Sequence, residues 1–272
     1  MTMPIDLILV RHGQSEQNHI LHEARHGDNS LDDLYRATPP SQFRLTDQGR
    51  EQAKVTGDWL REQGFGRFDR RYVSDYVRAK ETAAYLALGG PNWYVEHGLR
   101  EREWGELDGM SWEEREEYFQ KRSWPTSTDP FYWVPPNGES IAQMSMRVKS
   151  LLDTMHRECD DMQVIVVCHG EVMWAFRYLL ERMSSQRWMQ LESSDEAGVK
   201  INNCQVLHYT RRDPDTGELT GHLNWMQSMC PSNPENNGPG WLPIDRQTFT
   251  NEELLAMAEQ APSLLKSNHK KS

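Results

Sequence analysis

The tripeptide Arg11-His12-Gly13 stands directly after the apolar run of residues 5–10, which puts a guanidinium and an imidazole at the mouth of a buried strand. Ligands of open α/β sheets sit at such positions, outside the carboxyl ends of the strands, where the chain turns and backbone N–H groups are free to face an anion. A second apolar run, Val166-Val167-Cys168-His169-Gly170-Glu171, also ends in His-Gly. Between the two, Ser74-Asp75-Tyr76-Val77-Arg78 brings another arginine to an expected strand-to-helix junction, and Leu99-Arg100-Glu101-Arg102-Glu103 brings carboxylates.

These residue types suit transfer of a phosphoryl group. A phosphate monoester is a dianion, so a nucleophile is repelled unless cations neutralise the phosphoryl oxygens and hold phosphorus in line with it. Arg11 and Arg78 each present a planar fork that bonds two phosphate oxygens, a geometry lysine cannot give. His169, with Gly170 beside it, and Asn18 in the loop after His12 add N–H donors and complete a set of substrate-binding candidates. His12 must attack with a neutral ring nitrogen; an unperturbed imidazole titrates near ~6.5, and neighbouring arginines disfavour the imidazolium. Attack yields a phosphohistidine, which splits hydrolysis into two displacements and needs no metal ion or other cofactor. Taken singly, each residue has a structural competitor: a strand-end histidine can satisfy a backbone carbonyl, and Arg78 can pair with Glu81.

At these four segments the chain resembles the histidine phosphatase superfamily, the clan of cofactor-dependent phosphoglycerate mutases and acid phosphatases. The segments arrive in the family's order across residues 5–210. The resemblance implies an α/β fold, a three-layer α/β/α sandwich with a mostly parallel central sheet. It also implies a proton donor in a Leu-x-Glu segment, which here is Glu101, with Glu103 as the rival two residues on. Two departures bear on activity. Ser74-Asp75 replaces the Ser-Pro of many relatives and adds negative charge near the pocket, and Lys121-Arg122 is the only counterpart of the basic residues with which the mutases grip a carboxylate. Pro136-Asn137-Gly138-Glu139-Ser140 is similar to the Pro-x-Gly-Glu-Ser segment of phosphatase-like branches, which favours water as the final acceptor. The expected function is hydrolysis of small phosphomonoesters; the alternatives are a mutase and a non-catalytic module that binds a phosphorylated ligand.

Composition agrees with an enzyme of this kind. With 272 residues, 37% of them apolar, and 10 Trp, the chain can bury a sizeable core as one elaborated domain over residues 1–230, with insertions or lids near 19–42 and 120–136. Residues 231–272 read as an extension with one short helix and a frayed end. A formal charge of −11 argues against nucleic-acid and anionic-membrane partners, so an anionic substrate has to be drawn by a local cationic pocket. No apolar stretch approaches the ~20 residues of a membrane span, and the first six residues are too short and uncharged for a signal peptide, which makes a cytoplasmic protein the expectation. The oligomeric state stays open. Cys159, Cys168, Cys204 and Cys230 lack metal or disulfide spacing and read as reduced thiols, Cys168 as a core residue. His19, His22 and His26 have the spacing of one helical face but read as part of a polar loop, not as metal ligands.

The elements that must position these groups alternate. Strands are expected at 5–10, 71–74, 93–96, 164–168, 204–209 and 223–227. Thr46 or Asp47 can cap a helix whose Ala53, Thr56, Gly57 and Leu60 recur at helical spacing. Ile141, Met144, Val148, Leu151, Leu152 and Met155 mark the apolar face of another, and Thr250-Asn251-Glu252-Glu253 is a capping box for a short helix to about residue 259.

Overall fold

The computed structural model describes residues 2–121 and 129–264. In chain order the elements are β1 (Asp6–Arg11), α1 (Glu16–Arg25), α2 (Asp32–Ala37), α3 (Asp47–Glu62), β2 (Arg70–Val73), α4 (Val77–Tyr85), β3 (Tyr94–Val95), α5 (Trp112–Lys121), α6 (Ile141–Glu158), β4 (Gln163–Cys168), α7 (Gly170–Leu180), α8 (Ser185–Glu192), β5 (Val206–Thr210), β6 (Trp225–Met229), β7 (Leu242–Pro243) and α9 (Asn251–Glu259). Successive side chains of a strand point to opposite faces, and β1 uses both. Leu7 and Leu9 join Val148 and Met155 of α6 and Val172 and Phe176 of α7 in one apolar cluster; Ile8 and Val10 join Leu60 of α3 and Ala79 and Ala83 of α4 in the other. The result is the expected sandwich of a sheet between two helical layers.

The strand order is β3-β2-β4-β1-β5-β6-β7. β3, β2, β4 and β1 pair in parallel, and each of the next three pairings is antiparallel, so β6 again runs with β1 and five of the seven strands share a direction. Parallel pairing puts the carboxyl ends of β2, β4 and β1 side by side, and those ends lead into Ser74, His169 and His12. The β1–β4 register sets Arg11 opposite Cys168, and the His12 N–H continues the ladder to the Cys168 carbonyl at 3.0 Å.

Local chemistry accounts for the helix starts. Thr46 Oγ1 accepts the Gly49 N–H, and capping boxes open α6 at Ser140 with Gln143 and α9 at Thr250 with Glu253. Three expectations differ from the structure. Residues 19–42 are not a polar loop: a further capping box, Ser15 with Asn18, starts α1, α2 follows, and Ile20, Tyr35 and Phe43 form a small apolar cluster of their own. His19, His22 and His26 therefore lie on α1 and its C-cap, where His19 and His22 face Glu23 and the His22 and His26 rings sit 4.5 Å apart. Cys204 is in a turn and not in a strand, with φ of 55° and its N–H on the His12 carbonyl, so β5 begins at Val206. β7, two residues long and containing Pro243, has no periodicity to announce it.

In the 120–136 stretch Phe131 is a core residue packed on Tyr178 and Trp188, Tyr132 is exposed and the Trp133 ring lies 6.3 Å from that of Trp104, tilted by 55°; Trp124 lies outside the described residues, as does the expected frayed end from 266. All four cysteines are buried free thiols. Among the described residues no helix is long and apolar enough to cross a membrane.

Two glycines hold the loop after His12 against α3. A Cβ on Gly49 would lie 2.0 Å from the Gln14 carbonyl oxygen, and one on Gly13 would lie 2.3 Å from the Gly49 carbonyl oxygen. Alanine in a helix normally gains about 1 kcal/mol over glycine. At position 49 the backbone clash dominates, and Gly49→Ala is expected to lower the urea-unfolding free energy by about 1–3 kcal/mol. Gly66→Ala, which meets only the Arg61 side chain at 3.5 Å, is expected to be near neutral in the same assay.

Candidate active site

The ring of His12 is held in one tautomer by its two neighbours. Nδ1 lies 2.7 Å from the Gly13 carbonyl oxygen, which can only accept, and Nε2 lies 3.1 Å from the Arg78 Nε–H, which can only donate. The hydrogen is therefore on Nδ1 and the lone pair on Nε2. The ring is 2% exposed. Burial, followed by the Arg78 and Arg11 charges, holds its pKa well below the ordinary histidine value, while the Gly13 bond opposes that shift.

His169 stands beside it, with ring centroids 5.1 Å apart. Its Nε2 is 2.8 Å from the Ser74 hydroxyl, which also accepts the Tyr76 N–H. If that hydroxyl donates to Nε2, the hydrogen is on Nδ1, a fully buried atom with no hydrogen-bond partner among the described residues. Burial first, and then Arg78, His12 and Arg11, lower the His169 pKa as well.

Both phosphate-binding candidates are anchored by backbone carbonyls. Arg11 Nη1 donates to the Ile201 carbonyl at 2.8 Å and Arg78 Nη1 to the Pro40 carbonyl at 2.6 Å. The Arg78 guanidinium lies over the Tyr76 ring at 4.7 Å. Burial lowers its pKa to about 10, which leaves it a cation at neutral pH. It does not pair with Glu81, whose carboxylate takes Arg44 and the Leu45 N–H. Asn18 Oδ1 accepts from Ser15 N–H and from Asn203 Nδ2, so the NH₂ group is the part of Asn18 left to donate to an anion.

Arg11, His12, Asn18, Arg78, Glu101 and Gly170 line one cavity of about 330 Å³. Glu103 is outside its lining; that carboxylate is more than half exposed and sits 3.8 Å from Arg100. Of the two rival carboxylates, only Glu101 is within the cavity. Asp75 is also outside the lining and accepts Arg100 Nη1 at 3.3 Å, which pairs the negative charge expected near the pocket. Burial raises the Cys168 thiol pKa far above its usual value, so it is not a thiolate beside His169. Lys121 pairs with Glu117 outside the cavity, and Arg122 lies outside the described residues.

Several residues that hold or line the site went unnoticed in the sequence. Asn203 holds both the His12 carbonyl (3.1 Å) and Asn18, and Thr82 accepts the Gly13 N–H at 3.1 Å. Arg102, Trp104, Glu171, Trp174 and Glu192 also line the cavity. Arg102 and Trp104 follow Glu101 at alternate positions, and Glu171 follows His169-Gly170 directly; that adjacency was the available signal. Asn203 and Glu192 had none.

A family profile described as the histidine phosphatase superfamily (branch 1) matches residues 7–205. The chain is 31% identical over 211 residues to a 2,3-bisphosphoglycerate-dependent phosphoglycerate mutase of Afipia carboxidovorans, covering 72% of this chain and 89% of that protein. It is 30% identical over 208 residues to the enzyme so named in Brucella melitensis, covering 72% and 89%. Among solved structures, a phosphoserine phosphatase from Entamoeba histolytica in complex with 3-phosphoglyceric acid superposes with a TM-score of 0.55 at 23% identity, covering 75% of this chain and 91% of that one. A mycobacterial glucosyl-3-phosphoglycerate phosphatase gives 0.55 at 22% identity, covering 75% and 92%. At such identities the structural likeness concerns the fold.

Because His12 and His169 both have pKa values below that of an unfolded histidine, near ~6.5, the unfolded chain binds more protons in acid. Stability is thus expected to fall as pH drops from about 6.5 toward the folded values, by up to about 1.4 kcal/mol per pH unit for each ring. Proton NMR of the His12 ring provides a sharper check. Its titration midpoint should lie well below 6.5 in the native protein and move up in Arg78→Gln; a native midpoint at or above 6.5 would contradict the electrostatics described here.

Proposed function

The chain belongs to the histidine phosphatase superfamily, and from that premise we propose that it is a phosphatase hydrolysing small phosphomonoesters through a phosphohistidine at His12. The observation that carries this reading is the fixed tautomer of His12, which leaves the Nε2 lone pair facing Arg78 in a cavity that Arg11 and Glu101 also line, with the His169 ring 5.1 Å away and itself outside the lining.

In the first displacement the Arg78 Nε–H passes from His12 Nε2 to a phosphoryl oxygen, the freed Nε2 lone pair attacks phosphorus, and the ester P–O bond breaks. Arg11 and Arg78 hold the phosphoryl oxygens, and Glu101, protonated, gives its proton to the departing alkoxide. The Gly13 carbonyl steadies the Nδ1–H as the ring becomes positive. In the second displacement the Glu101 carboxylate takes a proton from water, the water oxygen attacks phosphorus, and the P–N bond breaks with its electron pair returning to Nε2. Phosphate leaves and Glu101 is protonated again.

Charge supports water over a second substrate oxygen as the acceptor. A mutase has to hold a second anionic group, yet Lys121, the described member of the basic pair expected for that task, pairs with Glu117 outside the cavity, and the lining carries Glu171 and Glu192, with Arg102 facing Glu171. Mutase activity remains the second reading because the curated relatives at about 30% identity bear that name.

In a screen of alkyl and aryl phosphates without added metal, His12→Ala is expected to lose more than about 10³-fold in turnover. Glu101→Gln should lose about 10²–10⁴-fold on alkyl phosphates and much less on p-nitrophenyl phosphate, whose leaving group needs no proton. Acid-labile, alkali-stable labelling of the wild-type protein would report the phosphohistidine. Bisphosphate-stimulated interconversion of phosphoglycerates with little phosphate release would establish the mutase instead.

A further inference from the structure

Tyr76 stands at the junction of β2 and α4, and the phosphoryl chemistry so far leaves it without a role. Its backbone is fixed there: the N–H goes to the Ser74 hydroxyl at 3.3 Å, and the carbonyl takes the Ala79 and Lys80 N–H groups, both at 3.1 Å. The residue is 4% exposed and lines the cavity. Three groups meet its ring. The Arg78 guanidinium lies over it at 4.7 Å, the Arg100 guanidinium at 5.2 Å, and the His169 ring meets it edge to face with centroids 4.9 Å apart.

The two cations are compensated differently. Arg100 faces Asp75 at 3.3 Å and Glu103 at 3.8 Å, whereas Arg78 makes no salt bridge among the described residues. Asp75, the departure from Ser-Pro that adds a negative charge, therefore answers Arg100, and the charge of Arg78 is left for a ligand. Burial raises the Tyr76 pKa, so the phenol is neutral near pH 7 and offers Arg78 a π face instead of a phenolate.

Arg78 has to exchange a partner during phosphoryl transfer. In the free protein its Nε–H is on His12 Nε2 at 3.1 Å and its Nη1 on the Pro40 carbonyl at 2.6 Å. When a phosphoryl oxygen takes the Nε–H, one of these two bonds to the protein is lost. The contact with the Tyr76 ring uses no N–H, so it is kept through the exchange. We propose that Tyr76 is a positioning residue for phosphate binding, its ring carrying the Arg78 guanidinium while the Nε–H passes from His12 to a phosphoryl oxygen. The exchange of partners rests on the phosphatase reading, and the tie between Tyr76 and Arg78 is measurable without turnover.

Calorimetry with inorganic phosphate provides that measurement. Tyr76→Phe keeps the ring and is expected to retain most of the wild-type affinity, whereas Tyr76→Leu should lose about 5- to 30-fold. In an Arg78→Ala background the leucine substitution should cost less than about twofold, because the cation it acts through is gone. A trifluorinated phenylalanine at the same position strips the π face of its negative charge with little change of shape. It should weaken phosphate binding by about threefold or more relative to Tyr76→Phe, and this comparison stands even where the leucine variant does not fold or Arg78→Ala binds no measurable phosphate. Equal phosphate affinity for the two phenylalanine rings, an equal leucine penalty with and without Arg78, or no phosphate binding by the wild-type protein would overturn the assignment. Hydrolysis of p-nitrophenyl phosphate, run alongside, reports separately on the phosphatase reading: its absence, with the calorimetric order intact, would sink that reading and leave the role of Tyr76 in place.

Discussion

The active cavity depends on keeping an imidazole neutral between two guanidinium groups. Charge repulsion alone would do this at the expense of position, because a ring repelled by cations also turns away from them. Here the position is set first. The β1–β4 register and the His12 N–H bond to Cys168 fix the backbone, and the Gly13 carbonyl then takes the Nδ1 hydrogen. With that hydrogen committed, the Arg78 Nε–H meets a lone pair and the contact is attractive. Gly13 is part of the same device: its N–H is on Thr82, and it has no side chain to hold α3 away.

The arginines of this chain fall into two groups by what they bond. Arg147 with Glu139 and Arg177 with Glu181 are paired to carboxylates, and their charge is spent within the fold. Arg11 and Arg78 make no salt bridge among the described residues; backbone carbonyls of Ile201 and Pro40 orient them instead. A carbonyl dipole fixes direction without cancelling a full charge, so the cation stays available to an incoming dianion. Burial makes that arrangement expensive in the absence of an anion, as the lowered Arg78 pKa reflects, and the same cost drives anion binding.

What the sequence revealed follows from how local each signal is. Strand-end histidines are legible because an apolar run and the turn after it are contiguous, and the helix caps at Thr46, Ser140 and Thr250 are legible within four residues. Arg78 and Glu101 needed the ordered resemblance of four segments, since neither is marked by periodicity. Pro40, which orients Arg78, and Asn203, which ties His12 to Asn18, act across separations of 38 and 185 or more residues and leave no local trace. The polarity of residues 19–42 misled for a related reason: α1 buries only Ile20 and Ala24, so its helical character lies in the Ser15–Asn18 capping box and not in its composition.

The charges of the cavity lining bear on the identity of the acceptor. A mutase must let its monophosphorylated substrate offer either of two oxygens to the phosphohistidine, while the substrate's other anionic group is held at a distance by cations. Here the lining adds the anionic Glu171 and Glu192, and the charge of Arg102 is directed to Glu171 at 3.4 Å. Under the proposed reading a second anionic group therefore meets like charge on this part of the lining, and water, which carries no charge, is the acceptor it favours.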